Sequence, residues 1–188
     1  MDYALGVIWA LGTIVEDDGS LRVVIRHKDV EVLKDITNRC NLQNQPYYVD
    51  YHKGWTLKFT LTSDVGKRMV DLGYNPKKDK ERSVPEGFYD KYEWMKGYFS
   101  QRAHIHKGGL GWVLRIYGSF NIVSALTKWL NSMYGVGPKK PQRISNRIKD
   151  QYVGECWVII YQSKKEIRHL SKMGILPEKE AERLTQPC

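Results

Sequence analysis

The feature that most constrains this chain is a short helix, rich in small residues, that occurs twice. Residues 3–12 read YALGVIWALG, apolar throughout, with Ala4, Gly6, Ala10 and Gly12 spaced along it. Glycine inside a helix costs about 1 kcal/mol relative to alanine, so its presence here implies that another backbone comes close. The pattern restarts further on: Gly6 corresponds to Gly97, Val23 to Leu114 and Ile25 to Ile116, each pair 91 residues apart. The endings Leu72-Gly73 and Met173-Gly174 also correspond. Two such helices, each leading its own unit, predict a close helix–helix crossing with Gly6, Ala10, Gly97 and Gln101 at the interface.

The segments between these helices carry strand and helix signals in the same order twice. Residues 13–15 predict a short strand, and 16–20 a turn centred on Asp18-Gly19. Leu21, Val23 and Ile25 alternate with Arg22, Val24 and Arg26, the period of a strand with one buried face. A helix over 28–40 follows, then strands over 47–51 and 55–61. In the latter, Trp55, Leu57, Phe59 and Leu61 are expected inward and Thr56, Lys58 and Thr60 outward. Ser63 or Asp64 caps a helix that Gly73 ends. The second half predicts a helix over 92–101, strands over 102–106 and 112–117, and a helix over 120–133. A basic loop over 135–149, strand material over 151–161 and a helix over 164–173 complete it. The fold class is therefore α+β, a tandem αββαββα repeat. The first repeat covers 1–75, a basic linker 76–91, the second repeat 92–175, and a tail 176–188 forms a short helix or a frayed end.

Thirty Lys and Arg against 21 Asp and Glu give a formal charge of +9, which favours an anionic partner without specifying a fold. Cys40, Cys156 and Cys188 have neither metal-ligand spacing nor a disulfide framework. No apolar run reaches transmembrane length, and Asp2 with the early glycines breaks any secretory signal. A cytoplasmic monomer without membrane contact is the expectation. There is no phosphate loop, dinucleotide glycine signature or Ser-His-Asp arrangement.

The motif Ala4-Leu5-Gly6-Val7-Ile8-Trp9-Ala10-Leu11-Gly12 resembles the nine-residue signature of the LAGLIDADG homing endonucleases. So does Met95-Lys96-Gly97-Tyr98-Phe99-Ser100-Gln101-Arg102-Ala103. The resemblance covers about residues 3 to 175 and is to the two-repeat form of that family. It implies that the two motif helices pack together about a pseudo-two-fold axis. It also implies that the flanking sheets form a saddle over the DNA major groove, and that the C-terminal ends of the helices each supply an acid to a shared divalent-metal site. Those acid positions correspond to Leu11 and Arg102 here, and neither side chain can ligate a divalent cation. A second register, Leu11 to Gly19, would place Asp18 at the metal position, but it breaks the 91-residue correspondence.

No Asp or Glu occurs between Glu93 and Asp150, a span holding ten Lys and Arg. The expectation is a protein without metal or other cofactor that binds double-stranded DNA sequence-specifically and does not cut it. A regulator or recombination accessory factor, such as a phage or other mobile element carries, fits that expectation. Arg22, Arg26 and Lys58 on outward strand rows, with Lys28 beside them and Arg115 in the second half, are candidates for base and backbone contact. Lys77, Lys78, Lys139 and Lys140 in loops, with Lys107, Arg143 and Arg147, are candidates for phosphates. Arg102 and His104, with His106 on the same strand face, complete the set. The alternatives are an active endonuclease with a rearranged site using Glu16, Asp17 or Asp18, an RNA-binding maturase-like splicing cofactor, and a binder of an acidic protein.

Overall fold

A helix that is apolar all round must be enclosed by protein, and Ala4 to Ala10 are buried on every side of helix α1 (Asp2–Leu11). The computed structural model describes residues 1–74, 82–109, 111–148 and 151–184, with the side chains of 145–148 and 151–155 outside that description. The chain divides into two compact units. The first takes Met1–Asp79 with Pro85–Gln101, the second Lys80–Val84 with Arg102–Cys188.

In the first unit α1 leads into β1 (Thr13–Asp17), β2 (Ser20–His27), α2 (Val30–Arg39), β3 (Tyr47–Val49), β4 (Gly54–Thr60) and α3 (Asp64–Asp71). Its strands form an antiparallel sheet in the order β1-β2-β4-β3. Asp18 and Gly19 turn the first hairpin with φ of 50° and 70°, the left-handed pair that a two-residue hairpin requires. The alternative register over 11–19 is thereby excluded, because those residues are strand and turn rather than helix. Val23, Ile25, Leu57 and Phe59 line the buried side of the sheet, with Leu33 and Ile36 of α2 and Val65 and Met69 of α3 also in the core. The side chains of Asp29 and Ser63 cap α2 and α3 by accepting from the backbone N–H of Glu31 and Gly66.

Helix α4 (Lys91–Arg102) carries the second motif yet belongs, up to Gln101, to the first unit. The two motif helices approach backbone to backbone. A Cβ built on Gly6 would stand 2.0 Å from the Trp94 carbonyl oxygen, and one on Gly97 would stand 1.9 Å from that of Tyr3. Ala10 is buried beside this crossing, whereas Gln101 is half-buried and donates to the Ser100 hydroxyl at 3.0 Å. Trp9 lies edge-on to Tyr74, 4.6 Å between ring centroids, and to Trp94 at 6.5 Å. Tyr74 is part of the core, and its hydroxyl donates to the Gly12 carbonyl at 2.7 Å.

The second unit repeats the order with β5 (Ala103–Gly108), β6 (Gly111–Gly118), α5 (Phe120–Tyr134), β7 (Gln142–Ile148), β8 (Gln151–Tyr161), α6 (Lys164–Lys172) and α7 (Glu178–Arg183). Its sheet order, β5-β6-β8-β7, matches that of the first. Strand β7 corrects the expected loop over 135–149. Its composition is polar, and pairing along the eleven-residue β8 supplies the order that propensity does not. Thr56 keeps its expected place on the outward row of β4, opposite Arg26, but it is covered there, with its hydroxyl 3.2 Å from His52 Nε2.

The tail contributes α7, which closes the free edge of β5. The nearly inaccessible Glu180 accepts the Ile105 N–H at 2.6 Å, and Arg183 donates to the Ile105 carbonyl at 2.8 Å. An open edge strand invites pairing with another chain, and this cap satisfies both groups of its middle residue.

Cys40 is 5% exposed, and burial pushes its thiol up to about 11. Because the thiolate is the reactive form, Cys40 is expected to resist a thiol reagent in native protein at pH 8 and to react only as the chain unfolds. Mass mapping of the modified cysteine over time checks this; rapid native labelling of Cys40 would contradict it.

Candidate nucleic-acid interface

Strand alternation determines which side chains leave the core, and pairing register determines which of them meet. In the first sheet Arg22, Val24 and Arg26 of β2 lie opposite Thr60, Lys58 and Thr56 of β4. Thr13, Val15 and Asp17 of β1 join the same face. This face points away from the Val23, Ile25, Leu57 and Phe59 core side. It brings together three of the cations expected from sequence, Arg22, Arg26 and Lys58.

Asp17 modifies that row. Its Oδ2 lies 3.3 Å from Arg22 Nη1 and 3.3 Å from Lys58 Nζ. Hydrogen bonds to Asp17 and then to Tyr47 hold the Lys58 ammonium above its ordinary value. Arg22 and Lys58 are thus ordered on an internal carboxylate, while Arg26 is exposed at the far end of β2. Arg26 and Lys28 line a groove with His27, His52 and Gly54. The two histidines were missed by sequence reasoning. They are isolated in sequence, and only the β3–β4 pairing carries His52 toward the end of β2. His27 Nδ1 accepts from the Asp29 N–H at 3.0 Å, and His52 Nδ1 is shielded without a hydrogen-bond partner.

The corresponding face of the second sheet is chemically different. His104 lies opposite Arg115 and His106 opposite Val113, and Tyr117 follows two residues after Arg115. Ile160 and Val158 are their partners on β8. The His104 and Tyr117 rings are 5.9 Å apart. Arg115 Nε is shielded from solvent and has no hydrogen-bond partner in the protein, a donor left for a ligand or for water. Counting by the 91-residue repeat, Arg115 corresponds to Val24, and Arg22 and Arg26 correspond to Val113 and Tyr117. The two faces therefore present different functional groups along equivalent strands.

The remaining candidates are dispersed. Lys107 and Lys140 are exposed, and Arg102 is half-buried at the last residue of α4. Arg143 lies on strand β7 rather than in a loop, opposite Trp157 and exposed. Lys139 is neutralised internally: its ammonium sits 3.0 Å from Glu166 Oε2 and 5.0 Å from the centre of the Tyr161 ring. Its backbone N–H donates to Thr127 Oγ1 at 2.7 Å, so Lys139 fastens the segment after α5. Lys77, Lys78 and the side chain of Arg147 lie outside the described residues.

Leu11 is the last residue of α1 and Arg102 the last of α4, the helix ends where the resemblance puts the metal-binding acids. A hydrocarbon and a guanidinium do not fit a divalent cation. Among the described residues no three His, Cys, Asp or Glu side chains are grouped so as to hold a metal ion. No described helix is long and apolar enough to cross a membrane.

No family model matches the chain, and no curated protein matches it. Solved structures do. The LAGLIDADG meganuclease I-AabMI, bound to uncleaved DNA, is 13% identical, with a TM-score of 0.58 over 98% of this chain and 89% of its own. The LAGLIDADG homing endonuclease I-LtrWI, bound to target DNA, is 12% identical, with a TM-score of 0.55 over 97% and 86%. Mesophilic variants of the homing endonuclease I-DmoI are 14% identical, with a TM-score of 0.52 over 90% and 92%. At these identities the likeness is one of fold.

Proposed function

We propose that this chain, which has the two-domain LAGLIDADG fold, binds double-stranded DNA sequence-specifically through the polar faces of its two sheets and does not cleave it. A role in regulation or in assisting recombination follows from binding without cutting. The observation that carries the reading is the pairing of Leu11 and Arg102 at the helix ends with cationic rows on the sheets. Arg26 and Arg115 are the side chains suited to base edges, since a guanidinium offers paired donors to guanine. Lys28, His104 and Lys107 suit phosphates. Asp17, one of the three acids that a rearranged nuclease site would draw on, is already engaged by two cations.

Selection of bound duplexes from a random pool, repeated with Mg²⁺ and with Mn²⁺, tests this reading. A reproducible site recovered uncut is the expected result; metal-dependent nicking at that site would refute it.

Asp17→Asn gives a sharper check on the first sheet. Freeing Arg22 and Lys58 from their shared carboxylate is expected to tighten duplex binding and to steepen its salt dependence by about one to two ions, each worth about 0.9 in the log–log slope. Fluorescence anisotropy at several salt concentrations measures both. If Asp17 instead served a metal-dependent reaction, the substitution would abolish activity without tightening binding.

A further inference from the structure

Helix α6 carries the densest run of cations among the described elements, and the sheet faces make no use of it. Lys164, Lys165, Arg168, His169 and Lys172 are all exposed and line one groove. Ile167 and Leu170, fully buried, pin the opposite side of the helix to the core. The one acid on α6, Glu166, faces elsewhere: its carboxylate accepts from the Gly137 N–H at 2.7 Å and from Lys139. Among the described residues, Lys164, Lys165, Arg168 and Lys172 have no carboxylate partner. His169 Nε2 lies 2.9 Å from the Tyr134 carbonyl oxygen, and a hydrogen bond there fixes the ring beside the row.

Two features identify the partner. Lys164, Arg168 and Lys172 recur at four-residue intervals, about 6 Å per step on the helical rise. Over the roughly 12 Å from first to last, one strand of a duplex presents about three to four phosphates. Among the described residues, those that line the groove are all basic. Phosphate contact needs donors and positive charge at this spacing, and the row supplies both.

The position of α6 separates this surface from the first. The helix packs on the buried side of β6, the side of Leu114 and Ile116, while Arg115 of the same strand faces the other way. A duplex lying along the Arg115 face is on the far side of the sheet from α6.

We propose that α6 is a second duplex-binding surface, one that grips the phosphate backbone without reading bases, so that one molecule holds two DNA segments. This rests on duplex binding at the sheet faces, and the test separates the two. Protein is loaded on an immobilised duplex, and capture of a labelled second duplex is measured. Wild type is expected to capture it. The combined variant K164Q/K165Q/R168Q/K172Q should retain first-duplex binding within about twofold and lose second-duplex capture by about tenfold or more, given four phosphate contacts. Circular dichroism confirms that this variant, altered only at exposed positions, is folded. Capture that survives in it, or that is matched by polyglutamate or occurs only with RNA, overturns the proposal.

The converse variant R26Q/R115Q weakens the sheet faces and leaves α6 intact. Residual duplex binding by this variant is expected, and adding the four α6 substitutions to it should lower the magnitude of its log–log salt slope by about 3 to 4. An unchanged slope on adding the α6 substitutions would overturn the second surface while leaving the sheet-face reading standing.

Discussion

Gly6→Ala is expected to lower the melting temperature by roughly 6–12 °C, corresponding to a loss of about 3 kcal/mol or more for a chain of this size. The added methyl would stand 2.0 Å from the Trp94 carbonyl oxygen and 2.7 Å from the Tyr98 nitrogen, both backbone atoms of α4. No rotamer change relieves a clash with backbone, so the helices must separate and loosen the packing of Trp9 against Trp94. Gly97→Ala meets Tyr3 at 1.9 Å and should cost a similar amount. Gly19→Ala is the control. It has φ of +70° but nothing within 4 Å, so only backbone strain of about 1–2 kcal/mol applies. Thermal denaturation of the three variants decides the matter. Equal losses at Gly6 and Gly19 would mean that the helices do not approach as closely as described.

Glu180→Ala is expected to destabilise the second unit by about 1–3 kcal/mol, the cost of leaving buried hydrogen-bonding groups unsatisfied. It removes the acceptor for the Ile105 N–H and frees Arg183 from its 3.2 Å contact with the carboxylate. Hydrogen exchange at the Ile105 amide should accelerate more than at the Ile116 amide of the neighbouring strand. Glu180→Gln, which keeps an acceptor oxygen, should exchange more slowly than Glu180→Ala. Unchanged protection at Ile105 in the alanine variant would show that α7 does not close this edge. Self-association of Glu180→Ala at high concentration is the further expected consequence of an uncovered strand.

Much of this architecture was legible in the sequence because its signals are local. The alternation of Leu21, Val23 and Ile25 with Arg22 and Arg26 marked β2 and the row of side chains away from the core, and Asp18-Gly19 marked its hairpin. A Ser63 or Asp64 cap with Gly73 marked α3, and Gly174 marked the end of α6. The misread segments lack such signals. Strand β7 has too few apolar residues for a period-2 pattern and exists because β8 is there to pair with it. Thr56 does face outward, but its cover by His52 has no local signal.

The candidate site was less legible than the fold, and the reason is range. Sequence alone located the cations, but Asp17 and Lys58 are 41 residues apart, and nothing local indicates that one orders the other. Lys139 reads as a free phosphate contact until Glu166, 27 residues on, is placed against it. The cations of α6 stood in plain view as a run, yet only packing shows which side of the sheet they occupy.

By itself the sequence determined the duplicated order of elements, the small residues at the helix crossing, and the absence of acids at Leu11 and Arg102. Each follows from residue type and spacing along the chain. Tertiary structure alone decided that α4 packs with the first unit, that Asp17 and Glu166 neutralise particular cations, and that Glu180 seals the edge of β5. Those outcomes depend on which distant backbones and charges come within hydrogen-bonding distance, and packing determines that distance.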